Sequence, residues 1–316
     1  MRDATVVVAL GGNALAPAGE RATIANQFRH TRESLAPIVD LAREGWHIVL
    51  VHGNGPQVGD SLARNEIAAG EVEPLPLGVL VAETAGWIGY MIQQSLQNAL
   101  EQAGIQREVV TLITQTLVAR DDPSLTAPVK PIGHELTPER WARLGAQGVP
   151  MRADALGRWR RLAASPIPIG VVEAPVVGRL VEHGTIVVAA GGGGPPVYRD
   201  PVLRLEGVDA VVDKDRTAAI LARDLGAALL LILTDIDAVY RDYGTPRAAP
   251  IRRMTVAEAE ALQAAGQFGA GSMRPKVEAA VAFVRSGGQR AVIAELGSGL
   301  AAIRGETGTT IVAEGR

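Results

Sequence analysis

An α/β fold, with an open, mainly parallel sheet sandwiched by helices, is what this sequence predicts, and three observations carry that reading. Short apolar runs rich in β-branched residues, such as Val6 to Leu10, His47 to Val51 and Leu229 to Leu233, read as buried parallel strands. Helix-length stretches alternate with them, the signature of chained βαβ units. Glycine clusters stand directly after the strands, at Gly11-Gly12, Gly53-Asn54-Gly55 and Gly191 to Gly194, where an open α/β sheet binds its ligands.

Taken in order, Val6 to Leu10 feeds the loop Gly11-Gly12-Asn13. A helical stretch over Ala22 to Glu44 is stopped by Gly45. The strand His47 to Val51 then runs into His52-Gly53-Asn54-Gly55-Pro56-Gln57-Val58-Gly59. That second loop is G-x-G-x-x-x-G, so it is neither the dinucleotide fingerprint nor a Walker loop, which would continue into Lys-Ser or Lys-Thr. A helix is expected over Ala82 to Ala103 and a strand over Glu108 to Thr114. From 115 to 165 the periodicity degrades among prolines and an arginine group, Arg158, Arg160 and Arg161, which reads as a small inserted lid subdomain with a solvated basic face. The doubly wound pattern resumes with Ile167 to Val172, a helix over Val176 to His183, the strand Thr185 to Ala190 and a hairpin over Val197 to Leu205. A strand at Ala210 to Val212, a helix from Arg216 to Gly226 and the strand Leu229 to Leu233 follow. Thr255, with Glu258 three residues on, forms a capping box for a helix to Gly266. Pro275 suits the first turn of a helix ending near Arg285, and strands at Arg290 to Leu296 and Thr309 to Val312 close the fold.

The chain has 316 residues, 47% of them hydrophobic, enough for one large or two medium domains with full cores. A net charge of −3 and 3% aromatic residues argue against nucleic acid, which calls for a basic face and stacking platforms. With no cysteine there is neither a disulfide framework nor a thiolate metal site, and His30, His47, His52, His134 and His183 lack ligand spacing. The N-terminus carries no signal-peptide architecture, and no apolar run approaches the roughly 20 residues that span a bilayer, so a soluble cytoplasmic protein with no membrane partner is expected.

The basic residues are unequally divided. Of 31, only Lys130, Lys214 and Lys276 are lysine. Lysine is a compact, rotatable point charge, whereas arginine is a wide planar fork, so a site that crowds cations around one small anion calls for lysine. Lys214 lies between Asp213 and Asp215 at a strand end, and Lys276 near a helix start, against the local dipole, where an anion would be stabilised. Lys130, braced by Pro131 and Pro128, sits in the lid. A single glycine loop would read as a tight turn; two at adjacent strand ends, each with an embedded asparagine, read as an anion pocket.

The ordered set of motifs resembles the carbamate kinase family within the amino-acid-kinase fold. Its members are Ala9 to Leu15, His52 to Gly59, Lys130 to Gly133, Gly191 to Gly194, Val212 to Asp215, Leu233 to Tyr240, Gly271 to Met273 with Pro275-Lys276, and Gly308-Thr309. Together they span essentially the whole chain. The resemblance implies one domain over 1–316, with an acceptor half over about 1–205 and a nucleotide half over about 206–316. It implies reversible phosphorylation of carbamate by ATP with Mg²⁺, giving carbamoyl phosphate and ADP, in a homodimer. Under it Gly11, Gly12, Asn13, Gly53, Asn54 and Gly55 hold the carbamoyl phosphate. Lys214 and Lys276 bind phosphoryl oxygens, Asp215 orients them, and Lys130 reaches in from the lid. Thr234, Asp235, Tyr240, Met273 and Pro275 line the nucleotide site, with Asp213 on the Mg²⁺ side through water. The chain departs from the family's usual residues at Ala85, Leu125, Pro195 and Arg274. Two alternatives stay open: a kinase of this fold acting on another small acid or phosphate, and a catalytically silent nucleotide sensor.

Overall fold

The computed structural model describes residues 4–11, 15–17, 20–154, 157–268 and 273–315. The chain opens with β1 (Thr5–Leu10), α1 (Ile24–Ser34) and α2 (Ala36–Arg43). The single helix expected over Ala22 to Glu44 is therefore two, because Pro37 has no amide proton to donate and its ring interrupts the helical ladder around Leu35. Next come β2 (His47–His52), α3 (Gly55–Ala68), α4 (Leu77–Gln102), β3 (Val109–Thr111) and β4 (Thr116–Val118). The segment after them contains β5 (Lys130–Ile132), α5 (Pro138–Ala146), β6 (Met151–Ala153) and β7 (Trp159–Ala163). The chain continues through β8 (Pro168–Val171), α6 (Ala174–Glu182), β9 (Ile186–Val188), β10 (Pro196–Asp200), β11 (Arg204–Gly207) and α7 (Lys214–Asp224). It ends with β12 (Leu229–Thr234), β13 (Val239–Arg241), β14 (Ala249–Ile251), β15 (Arg253–Thr255), α8 (Val256–Ala264), α9 (Met273–Arg285), β16 (Arg290–Glu295), α10 (Gly299–Ile303) and β17 (Thr309–Val312).

Eight strands form the main sheet in the order β15-β17-β16-β12-β1-β2-β9-β3, and only the β16–β17 pair is antiparallel. β1 sits inside it, with Val6 opposite both Leu229 and Ile48. A strand covered on both faces needs apolar residues at every position, which explains the unbroken run Val6-Val7-Val8-Ala9-Leu10. Its side chains divide by the period of two. Val7 and Ala9 enter a core built with α6, α7, α8 and α9, whereas Val6, Val8 and Leu10 enter the core built with α2, α4 and α10.

Three smaller sheets flank this layer: β11-β10-β4-β8, β5-β7-β6 and β13-β14. Two expectations change here. β8, read as a resumption of the doubly wound sheet, pairs antiparallel with β4 outside the main sheet. Ala210 to Val212, read as a strand, joins no ladder; it is a buried extended segment whose Val211 amide donates to the Ala164 carbonyl at 3.0 Å. Valine-rich composition reports burial as much as strand pairing, and this segment has the first without the second. The hairpin of β10 and β11 and the capping box on α8 form where the sequence predicts them.

Candidate active site

The carboxyl edge of the main sheet gathers the glycine loops. After β1, the Gly11 amide donates to Leu233 O at 3.1 Å, and after β2 the Gly53 amide donates to Leu10 O at 3.1 Å. The two loops therefore sit on neighbouring strand ends. Gly12 and Asn13 lie outside the described residues. Asn54 is buried, and its Nδ2 donates to Thr84 Oγ1 on α4 at 2.8 Å. Directly against it runs the turn Gly191 to Gly194. A Cβ on Gly192 would fall 2.2 Å from Asn54 Nδ2, one on Gly193 2.4 Å from Val212 O, and one on Gly194 2.4 Å from Thr116 Oγ1. Gly192, Gly193 and Gly194 all have positive φ, so both space and backbone conformation demand glycine there. The turn wedges between the Asn54 loop and the segment leading to α7, and so sets their spacing.

α7 begins at Lys214, two residues earlier than the sequence predicts, because Asp213 is its N-cap. Asp213 Oδ1 accepts from the amides of Asp215 and Arg216 at 3.0 and 3.3 Å. Its Oδ2 accepts from Lys130 Nζ at 3.0 Å. Burial would raise the Asp213 carboxyl, but the Lys130 ammonium group, Lys214 and the helix amide outweigh it and hold the group well below the usual carboxylate range. Asp215, with a side chain only 4% exposed, divides its two oxygens between lysines: Oδ1 accepts from Lys214 Nζ at 2.5 Å and Oδ2 from Lys276 Nζ at 3.2 Å. Lys276 is on α9, which packs along α7. Burial lowers the pKa of Lys214; Asp215 opposes this and the neighbouring Lys276 adds to it.

These groups enclose a cavity of about 320 Å³. Its walls include Gly53, Asn54 and Gly55, then Lys130, Pro131 and Ile132, then Asp213, Lys214 and Asp215, with Pro275 and Lys276 closing it from α9. All three lysines border it, and among the described residues no arginine does. Thr234, Asp235, Tyr240 and Met273 do not line this cavity. Thr234 ends β12 with its hydroxyl donating to Asp235 Oδ1 at 3.0 Å, Tyr240 donates to Asp237 Oδ1 at 2.8 Å, and Met273 is the first residue of α9. A hollow of about 630 Å³ between β8, α6 and the end of α7 contains none of the lysines or glycine loops, so size alone does not mark the site.

Thr84, which anchors Asn54 from 30 residues away, had no signal in the sequence. Gly192, from the four-glycine run, forms part of the wall, and His52, at the start of the second loop, is fully buried beneath it, with Nδ1 against Gly53 O at 3.0 Å. Burial pushes the His52 imidazole down to about 4, so it stays neutral at ordinary pH.

A mainly parallel sheet whose carboxyl edge presents glycine loops and clustered lysines is the frame of a phosphoryl-transfer enzyme, and the chain belongs to the amino acid kinase family, whose model matches residues 4–295. Its full-length relatives narrow this to the carbamate kinase branch, which makes it a phosphotransferase. It is 43% identical over 313 residues to the carbamate kinase of Pyrococcus horikoshii, covering 97% of this chain and 98% of that protein. It is 45% identical to the carbamate kinase of Halobacterium salinarum, covering 97% of each. Among solved structures, carbamate kinase from Giardia lamblia bound to AMP-PNP superposes with a TM-score of 0.91 at 36% identity, covering 98% of this chain and 99% of that one. Among the described residues no helix is long and apolar enough to cross a membrane.

Proposed function

We propose that the enzyme catalyses reversible transfer of the γ-phosphoryl group of ATP to carbamate, forming carbamoyl phosphate and ADP. The observation that carries this reading is the convergence of all three lysines on one cavity beside the Gly53-Asn54-Gly55 loop and Gly192.

Phosphoryl transfer requires positioning and charge neutralisation more than covalent help from the protein. A carbamate oxygen attacks the γ-phosphorus as the bond to the bridging oxygen of ADP breaks. Carbamate is already an anion, so no general base has to remove a proton from it, and the neutral, buried His52 suits a packing role. Lys214 and Lys276, held by the two oxygens of Asp215, form a fixed pair of donors for phosphoryl oxygens, preorganised before substrate arrives. Gly53 to Gly55 lead into the N-terminus of α3, whose amides favour an anion. Lys130 supplies the third charge from the lid strand β5. Asp215 thus orients two lysines, and Asp213 positions the third.

On this reading the nucleotide occupies the side towards Thr234, Asp235, Tyr240, Met273 and Pro275. Mg²⁺ binds nucleotide phosphates with few protein ligands and several waters. Both oxygens of Asp213 already accept hydrogen bonds, so it would hold the ion through water, where the ion would neutralise phosphate charge. The enzyme would be a cytoplasmic homodimer able to run towards ATP.

The test is ATP formation from ADP and carbamoyl phosphate, with acetyl phosphate and other acyl phosphates as controls. Turnover confined to carbamoyl phosphate is expected. Turnover only with another acyl phosphate would move the enzyme to a different acceptor, and binding of ADP without turnover would make it a sensor.

A further inference from the structure

The lid is fastened to helix α3 at three places. Glu66, on α3 with a side chain 13% exposed, accepts through Oε2 from both Nε and Nη2 of Arg140 at 2.9 and 2.7 Å, and through Oε1 from Nη1 of Arg161 at 2.9 Å. Arg140 lies on α5 and Arg161 on β7, so one carboxylate holds two lid elements at once. A turn and a half nearer the start of α3, Asp60 pairs with His134 at 3.0 Å. Immediately before Asp60 the two backbones touch, and a Cβ on Gly59 would fall 2.1 Å from the Cα of Gly133.

This fastening has a direct line to the reacting groups. Arg161 on β7 stands opposite Ile132 on β5 in the antiparallel ladder, and Ala163 stands opposite Lys130. The start of α3 is the Asn54 loop itself. The helix therefore shapes one wall of the cavity at its first turn and, three turns later, grips β7, the ladder partner of the strand carrying Lys130. Charge-assisted hydrogen bonds that use both oxygens of a mostly buried carboxylate fix direction as well as distance. The two arginines belong to the group that the sequence reads as a solvated face or leaves unassigned, and Glu66 carries no motif.

We infer that Glu66 is a positioning residue for phosphoryl transfer: by clamping Arg140 and Arg161 it sets the seat of the lid on α3 and thereby the place of Lys130 over the acceptor. The inference rests on the role given to Lys130 above. Glu66 acts only through that lysine, so removing the clamp costs nothing once Lys130 is gone.

The experiment is a double-mutant cycle on ATP formation from ADP and carbamoyl phosphate. Glu66→Gln is expected to lower kcat about tenfold or more, the scale of a small misplacement of a reacting group, with KM for ADP unchanged. In a Lys130→Ala background the same substitution is expected to change kcat by less than about twofold. Gly59→Ala, which pushes the lid off by contact rather than charge, should show the same dependence on Lys130. Equal losses in both backgrounds would make Glu66 a structural residue and overturn the inference. Hydrogen exchange provides a readout independent of turnover: Arg161→Lys should speed amide exchange over 130–163 while leaving α7 unchanged, and unchanged lid exchange would also overturn the clamp. If the wild-type enzyme made no ATP from carbamoyl phosphate, the acceptor assignment would fail while this exchange measurement still decided the clamp.

Discussion

Lys130 and Asp213, 83 positions apart in the chain, meet in an ion pair of 3.0 Å that joins strand β5 to the N-cap of the helix carrying Lys214. One oxygen of Asp213 begins that helix while the other holds the lid lysine. The helix that presents Lys214 and the strand that brings Lys130 are thus coupled through a single carboxylate.

Lys130→Ala removes the lid charge and leaves α7 capped. Turnover should fall about tenfold or more with ADP affinity largely kept, if Lys130 acts on the acceptor as proposed above. Steady-state kinetics in both substrates check this. Weakened ADP binding with normal turnover would contradict a role for the lid at the acceptor.

Lys214→Ala and Lys276→Ala should each lower kcat by about 10²-fold or more, the scale for losing one preorganised charge stabiliser. Near-normal turnover in either would remove that residue from the transition-state site. Because burial lowers the pKa of Lys214, the alkaline loss of kcat/KM through this group should begin below the ordinary lysine value of 10.5.

His52 should make the protein acid-sensitive. Its folded pKa of about 4 lies below the ordinary 6.5, so as pH falls between these values the unfolded chain takes up a proton that the native state refuses. Stability from this group is complete above 6.5, declines across that window by about 3 kcal/mol and levels off below 4. Urea unfolding at pH 7 and pH 4.5 should show a smaller acid loss in His52→Asn than in the wild type. An equal loss would place the acid sensitivity elsewhere.

Gly193→Ala tests the turn that spaces the two halves of the site. With φ at +91° and a Cβ position 2.4 Å from Val212 O, the substitution should cost about 2 kcal/mol or more and disturb the Asp213 cap, visible as a lower Tm. Gly207, where a Cβ meets nothing within 4 Å, is the control and should tolerate alanine.

Much of the fold was legible because it follows from local rules. The valine run of β1, the capping box at Thr255 and Glu258, and the proline within the first turn of α9 each act over a few residues. The same rules misled where composition outran pairing, as at Ala210 to Val212, and where a cap lay one residue from a charge, as at Asp213. Thr234, Asp235, Tyr240 and Met273 entered through family resemblance alone, and the arrangement of side chains around the cavity does not include them.

By itself the sequence determined that an arginine-rich chain keeps only three lysines and that two of them, Lys214 and Lys276, stand at helix starts in an α/β fold, since residue counts and strand endings are properties of the linear chain. Only the tertiary structure decided which charges meet. Asp215 stands between Lys214 and a lysine 61 residues away, and Glu66 joins Arg140 and Arg161 from 74 and 95 residues away. Such pairings depend on the order of strands in the sheet and the packing of helices over it, and an electrostatic contact between distant residues leaves no periodicity in the chain from which it could be read.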